Sequence, residues 1–442
     1  MRPTGKFAAI FAGIIGLSAA GCANMPATGI AMPQPPLAQD RHDPQLRADL
    51  EAAIAHGVIP GAIVHIARGD RILVHETVGS AEPGGRTPLD ENAIFRLFSM
   101  TKPVTSVGIM ILAERGVLSL GDPASKFLPE LSDMRVYRSG GRDDMVTSPA
   151  KRQITIADLL SHSSGIVYHF TGTTPVHQYY RRHGVLRDTP VGRTPQDGEP
   201  ARNLDELVAR IGAAPLLFDP GERFHYSYST TLLGALIERA SGKRLDAFLK
   251  EAIFAPLGMN DTTFVISNAQ VARLTPLYRQ GPDGLILMES PGQSEYRDAS
   301  RLLDGGGALA GTAGDYLRFA RMLANSGELD GQRILSRKGV QALAAPRVTV
   351  GQLPGKSPMQ FGYGLAVGTT DSGSDTWYPG GTVGWAGSGG TYFFIDPKSR
   401  SVALLMTNVL MGADMQPART LQPIVNAAAR RSGAFPSLLI LK

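Results

Sequence analysis

The chain has 442 residues, a formal charge of +5 and a single cysteine, Cys22. One cysteine excludes internal disulfides, so the fold has to be held by a sizeable hydrophobic core, which a chain of this length supplies. Basic residues are scattered rather than clustered, which excludes a nucleic-acid interface, and no apolar run beyond the N-terminus approaches the ~18 residues that span a bilayer.

Arg2 and Lys6 precede an apolar run from Phe7 to about Ala20, followed by Gly21-Cys22. A run of that length is too short to span and suits the central region of a signal peptide. Small residues ahead of one cysteine resemble a bacterial lipobox, with Ala19 where leucine is usual. The expectation is a signal peptide over 1–21, lipidation of Cys22, and a chain exported to the bacterial cell envelope. An ordinary cut near Ala20 to Ala23 is the alternative. Losing Arg2 and Lys6 lowers the formal charge to about +3. A proline-rich flexible tether, 22–44, precedes one large domain over 45–435, and the membrane is touched only through the anchor.

From Asp43 to His56 the spacing of Leu46, Leu50 and Ile54 predicts an amphipathic helix. Strands follow at Gly61–Ala67 and Arg71–Val78, joined through Arg68-Gly69-Asp70 as a hairpin. The apolar run after Ser99 predicts a helix to Glu114, with Pro103 tolerated only if the helix begins close to Ser99. After a turn at Gly121-Asp122-Pro123, Thr155 caps a short helix to Leu160. The aperiodic stretch Tyr168 to Pro200 reads as a cavity-lining insertion or an ordered lid. Helices are predicted at Leu204–Ile211, Thr230–Ala240, Leu245–Ile253 and Asp315–Ala324. Strands come at Tyr363–Val367, Thr391–Ile395 and Val402–Met406, and a helix at Gln416–Arg431 closes the chain. Strands at both ends with helices between them predict an α/β architecture of α+β type. In it, one sheet drawn from about 45–95 and 330–435 carries a helical lobe at about 96–329.

Ser99-Met100-Thr101-Lys102 places a hydroxyl and an amine three residues apart, on one face if the segment is helical. A serine is a weak nucleophile until a neighbour takes its proton, and a desolvated neutral lysine can do so. Ser148-Pro149-Ala150-Lys151 repeats the spacing in a polar, aperiodic stretch (Ser139 to Lys151) and reads as chance in a surface loop. Tyr226, between the turn Asp219-Pro220-Gly221 and a new helix, is placed to aim its hydroxyl into a cleft; an isolated tyrosine there is otherwise a core aromatic. His162 reads as structural at a helix end. The glycine-rich edge Gly384 to Gly390 lets backbone approach a ligand and supply N–H groups to an oxyanion, a β-bulge being the plainer alternative. Neither G-x-S-x-G, H-E-x-x-H nor a Walker A loop occurs, and the histidines show no metal-ligand spacing, so no metal and no cofactor are expected.

In order and wording these segments resemble the serine β-lactamase-like hydrolases of the class C and penicillin-binding-protein lineage, and within it the family VIII carboxylesterases. Ser99 to Lys102 matches S-x-x-K, and Ile154 to Gly165 resembles I-T-I-x-D-L-L-x-H-x-S-G. Pro220-Gly221 through Tyr226-Ser227-Tyr228 resembles P-G…Y-x-N, with Tyr228 in place of asparagine. Pro256-Leu257-Gly258-Met259 and Gly305-Gly306-Gly307 through Asp315-Tyr316 also match, and Trp385-Ala386-Gly387 stands where β-lactamases carry K-T-G and esterases W-x-G. The resemblance implies a β-lactamase/transpeptidase-like fold and a small-molecule ester as substrate. It implies an acyl-enzyme on Ser99, with Lys102 and Tyr226 moving its proton and the backbone N–H groups of Ser99 and Ser388 holding the oxyanion. Trp385, Gly387 and Tyr228 would border the substrate. A D-alanyl peptidase or weak β-lactamase, and a catalytically silent cell-wall binding lipoprotein, are the competing readings.

Overall fold

The computed structural model describes residues 42–187, 194–350, 359–369, 378–412 and 414–436. The leader and Cys22 therefore lie outside the described residues, as does most of the tether. Among the described residues no helix is long and apolar enough to cross a membrane.

Among the described residues an eight-stranded antiparallel sheet organises the molecule. Its order is Val348–Val350, Met359–Phe361, Ala366–Val367, Val383–Gly387, Thr391–Asp396, Ser401–Met406, Gly61–Arg68 and Arg71–Gly79. N- and C-terminal segments meet where Ile63 opposes Met406 and Val64 opposes Leu405. Alternation along each strand feeds two layers, because successive side chains point to opposite faces. Val64, Ile66, Tyr392, Phe394 and Leu405 join the core beneath the helices Pro44–Ala55 and Ala418–Arg431. Ile63, Phe393, Ile395, Leu404 and Met406 join the larger core shared with the helical body.

The first helix starts where Pro44 occupies its first turn and the Asp43 side chain accepts the Leu46 N–H at 3.0 Å. Thr155 caps Ile156–Leu160 in a capping box closed by Asp158. The helix Thr101–Glu114 is apolar nearly all round, and each residue from Thr101 to Leu112 is buried. It crosses the helix Ser229–Ser241 closely: a Cβ on Gly108 would come within 3.0 Å of Ile237.

Several expectations are corrected. Tyr363–Val367 is not one strand. Met359–Phe361 and Ala366–Val367 are separate short strands joined by a turn in which Gly362 N donates to Leu365 O (2.8 Å) and Gly364 takes φ +81°. The Gly384 stretch is in part an inner strand: Val383 and Gly384 pair on both sides, with Ala366–Val367 and with Phe394–Ile395, while Trp385 to Gly387 pair, among the described residues, only with Thr391–Phe393. The aperiodic polar stretch after Arg135 is a hairpin of Arg135–Ser139 with Val146–Pro149, whose outward side chains hid the period. Leu245–Ile253 breaks after Leu249 into a π-helical turn, Lys250–Phe254. Tyr168 to Pro200 contains a helix, Pro175–Arg182. A hairpin of Leu277–Gly281 with Gly284–Glu289, unforeseen in the sequence, packs Leu277 and Met288 against Phe98.

Candidate active site

Ser99 is the middle residue of a 3-10 turn, Phe98–Met100, that runs directly into the Thr101–Glu114 helix. Phe98 has φ +45°, a conformation that costs a non-glycine residue energy and persists only where the surroundings hold it. They do so here: the Phe98 ring is buried against Leu277 and Leu410, and Gly389 lies flat on it, where a Cβ would come within 3.0 Å. The turn thus presents the Ser99 hydroxyl at a half-buried surface while the residues on both sides are buried.

Two side chains converge on Ser99 Oγ. The Tyr226 hydroxyl donates to it at 2.6 Å, and Lys102 Nζ lies 3.3 Å away. Lys102 is 1% exposed, and its Nζ also donates to the backbone carbonyl of Gly306 at 2.6 Å. Burial strips water from the ammonium and pulls its pKa down to about 7, with the Asp304 carboxylate opposing and Arg187 reinforcing the shift. Nζ also sits 4.5 Å from the Tyr226 ring centre and 5.3 Å from that of Tyr168. Burial pushes the Tyr226 phenol well above its ordinary value, and its bond to Ser99 draws it partly back. At neutral pH the lysine is therefore shared between its two forms while the phenol keeps its proton.

Tyr226 is held from behind by His162. This histidine follows the Ile156–Leu160 helix with φ +55°, is fully buried, and packs its ring 5.0 Å from that of Tyr226. Its backbone oxygen accepts the His225 N–H (2.8 Å), and its Nδ1 lies 3.1 Å from Ser227 Oγ. Burial keeps the imidazole pKa well below the usual range. It is neutral, and its ring nitrogens are engaged by the Ser227 and Thr230 hydroxyls, so its place is structural.

Trp385 is half-buried, with its ring 5.7 Å from Tyr226 and 5.0 Å from Phe361. Gly387 ends its strand directly against the Leu97 carbonyl, which any Cβ there would strike. That contact sets Ser388 beside the Ser99 turn, and the Ser388 carbonyl is fixed by the Met411 N–H at 2.7 Å. Tyr228 differs from expectation. It is 1% exposed, its hydroxyl lies 2.9 Å from His169 Nδ1, and its ring meets Tyr168 edge-on at 4.3 Å. It sits behind the site, and its polar end is already engaged. Tyr168, with exposed Phe170 stacked on it at 4.8 Å, stands nearer the lysine.

Four contributors escaped the sequence reading: the Gly306 carbonyl, Asp304, Arg187 and Tyr168. The Gly305-Gly306-Gly307 run was the available signal, since a Cβ on Gly305 would press within 3.1 Å of both Gly234 and Thr105. No group of three or more His, Cys, Asp or Glu side chains placed to hold a metal ion occurs among the described residues. The arrangement suits activation of a serine hydroxyl toward a carbonyl carbon.

Comparison with known proteins gives the same outline. The Beta-lactamase family model matches residues 46–426. Esterase EstB of Burkholderia gladioli is 31% identical over 383 residues, covering 82% of this chain and 90% of that protein. Lovastatin esterase of Penicillium rubens is 29% identical, covering 79% of this chain and 88% of its own length. Among solved structures, EstCE1, described as a hydrolase with promiscuous acyltransferase activity, superposes with a TM-score of 0.72. It is 24% identical, over 87% of this chain and 98% of that one, and is similar in fold.

Proposed function

The chain belongs to the beta-lactamase family of serine hydrolases, and from that premise we propose that it cleaves carboxylic esters through an acyl-enzyme on Ser99. The observation that carries the reading is the double contact on Ser99 Oγ, from Tyr226 and from a buried Lys102 whose pKa is drawn to about 7. As a neutral amine, Lys102 gives an N–H to Gly306 and turns its lone pair to the Ser99 proton. Ser99 Oγ then attacks the ester carbonyl. Tyr226, protonated and 2.6 Å away, passes a proton to the departing alcohol and is recharged through Lys102. Backbone N–H groups of Ser99 and Ser388 steady the oxyanion. Water, or an acceptor alcohol, releases the acyl group.

The names of EstB and lovastatin esterase support an ester as the substrate class. Trp385 supports it as well: it stands where β-lactamases carry the K-T-G lysine, and an aromatic wall suits uncharged acyl or alcohol groups better than a carboxylate. The test is a short-chain nitrophenyl ester, with mass spectrometry of the trapped intermediate. A Ser99-linked acyl adduct and Ser99-dependent release support the reading. Faster opening of a chromogenic cephalosporin's ring than ester cleavage would favour the lactamase alternative.

The N-terminal sequence supports a second proposal, that the protein is exported and anchored by acylated Cys22, with Cys22→Ala releasing it from membranes at unchanged turnover. An unmodified mature N-terminus elsewhere would reduce this to ordinary export.

A further inference from the structure

A buried ion pair lies directly behind the reacting groups. Asp304 is 2% exposed, and its Oδ1 accepts two hydrogen bonds, from Thr231 Oγ1 at 2.6 Å and from the Gly306 N–H at 2.7 Å. Its Oδ2 meets Arg187 Nε at 3.2 Å, and its backbone carbonyl accepts the N–H groups of Gly307 and Ala308, each at 3.0 Å. One aspartate thus folds the Gly305–Gly307 loop around itself. The Gly306 unit that donates to this carboxylate is the one whose carbonyl accepts from Lys102 Nζ at 2.6 Å. Thr105 Oγ1 ties the next carbonyl, that of Gly305, to the lysine's own helix at 2.7 Å. Arg187, from the segment after the Pro175–Arg182 helix, closes the network. It also faces Glu295 Oε1 at 3.9 Å, and a Cβ on Gly307 would lie 3.7 Å from its Nη2 and 3.8 Å from the Phe98 carbonyl carbon.

We propose that Arg187 and Asp304 are a paired positioning device for Lys102: Asp304 fixes the carbonyl that aims the amine, and Arg187 cancels the carboxylate charge that would otherwise keep the amine protonated. This rests on the reading of Lys102 as the proton acceptor for Ser99. The physical reason for a pair is that a lone carboxylate would serve the geometry and harm the chemistry. An aspartate beside a buried lysine stabilises the ammonium, which has no lone pair to offer, and an adjacent guanidinium restores the balance. The directions on Lys102 agree, Asp304 raising its pKa and Arg187 lowering it. The other groups facing Lys102 are Ser99, the rings of Tyr168 and Tyr226, and the neutral His162. The two phenols are held protonated by burial, so neither supplies the missing countercharge.

The test is the acid limb of kcat/KM against pH for three variants of the full chain. Asp304→Asn keeps an oxygen for Thr231 and Gly306 but removes the charge, so the limb moves down by about one pH unit. Arg187→Gln leaves the carboxylate unopposed, so the limb moves up by about one unit, with activity lost near pH 7 and regained near pH 9. The double variant brings the limb back toward the wild-type position. Losses that are equal at every pH, or shifts in the same direction for both single variants, would overturn the proposal and leave a merely structural ion pair. Lys102→Ala separates the two levels: near-wild-type turnover there removes the lysine mechanism itself, whatever the pair does. Thermal melting of each variant confirms that the profiles compare folded enzymes.

Discussion

The chain contains two Ser-x-x-Lys segments, and they have opposite fates. Ser99 and Lys102 open a helix buried on every side, and their functional atoms stand 3.3 Å apart. Ser148 lies on a hairpin strand that ends at Pro149, Lys151 lies just beyond it, and the two side chains have separate partners. Ser148 Oγ accepts from Arg138 Nε at 2.7 Å, while Lys151 Nζ reaches toward Asp219 Oδ2 at 3.5 Å with most of its side chain in water. The spacing is the same, but Lys102 is buried, which brings its amine into the working range, whereas the Lys151 side chain stands in water. Chemistry here comes from burial and from the backbone opposite, and the motif supplies only the atoms.

The largest effect that would break this contrast is loss of the hydroxyl. Ser99→Ala is expected to lower ester hydrolysis on the order of 10⁴-fold or more, while Ser148→Ala stays within about twofold of wild type. Comparable losses in the two variants, measured as kcat/KM on a nitrophenyl ester, would erase the distinction. Next in size are the partners. Lys102→Ala and Tyr226→Phe should each cost roughly 10²- to 10⁴-fold, and together far less than the product of the two, because groups acting on one proton fail as a unit. Lys151→Ala should leave the rate unchanged.

The pH dependence sharpens the contrast further. The amine acts only when neutral, so activity rises with pH through the Lys102 pKa near 7 and falls about tenfold for each unit well below it. A kcat/KM that stayed flat from pH 5 to 8 would remove Lys102 as the base. The stability sign is separate. A lysine whose folded pKa lies below its unfolded value binds fewer protons when folded, so its burial opposes folding most at low pH. That cost is relieved as pH rises from about 7 toward 10.5.

What the sequence made legible follows the range of the interactions involved. Thr155 and its helix could be read because cap and acceptor lie three residues apart, and the Asp43 start could be read for the same reason. Ser99 and Lys102 share a turn, so their approach was also local. The acceptor that aims Lys102 is a backbone carbonyl 204 residues away, and nothing about Gly306 marks it as polar. Arg187 and Asp304 carried no signal of their own, because charge alone does not report depth. The glycines of Val383–Gly387 serve close contact with the Leu97 carbonyl and with Phe393 and Phe394, a demand visible only once the neighbours are in place. The resemblance places Tyr228 beside the substrate, but its hydroxyl is engaged by His169, a partner 59 residues away that the motif does not show.

The smallest effect expected falls beside the second Ser-x-x-Lys segment, and its kind matters more than its size. Directly after Lys151, Arg152 reaches both oxygens of Asp158, at 2.6 and 2.9 Å. Asp158 in turn accepts the Thr155 N–H at 2.8 Å, while Thr155 Oγ1 accepts the Asp158 N–H at 3.1 Å. This neighbourhood is built to start the helix that leads to His162, and it holds no group that touches Ser99. Thr155→Ala removes one arm of the capping box and should destabilise the fold by about 1 kcal/mol. Turnover at 25 °C should stay within about twofold, because the marginal loss leaves nearly every molecule folded. Denaturant unfolding beside steady-state kinetics decides the matter. A fall in kcat/KM of tenfold or more with no loss of stability would mean that the second segment's surroundings reach the reaction after all. The division of labour between the two copies would then have to be withdrawn.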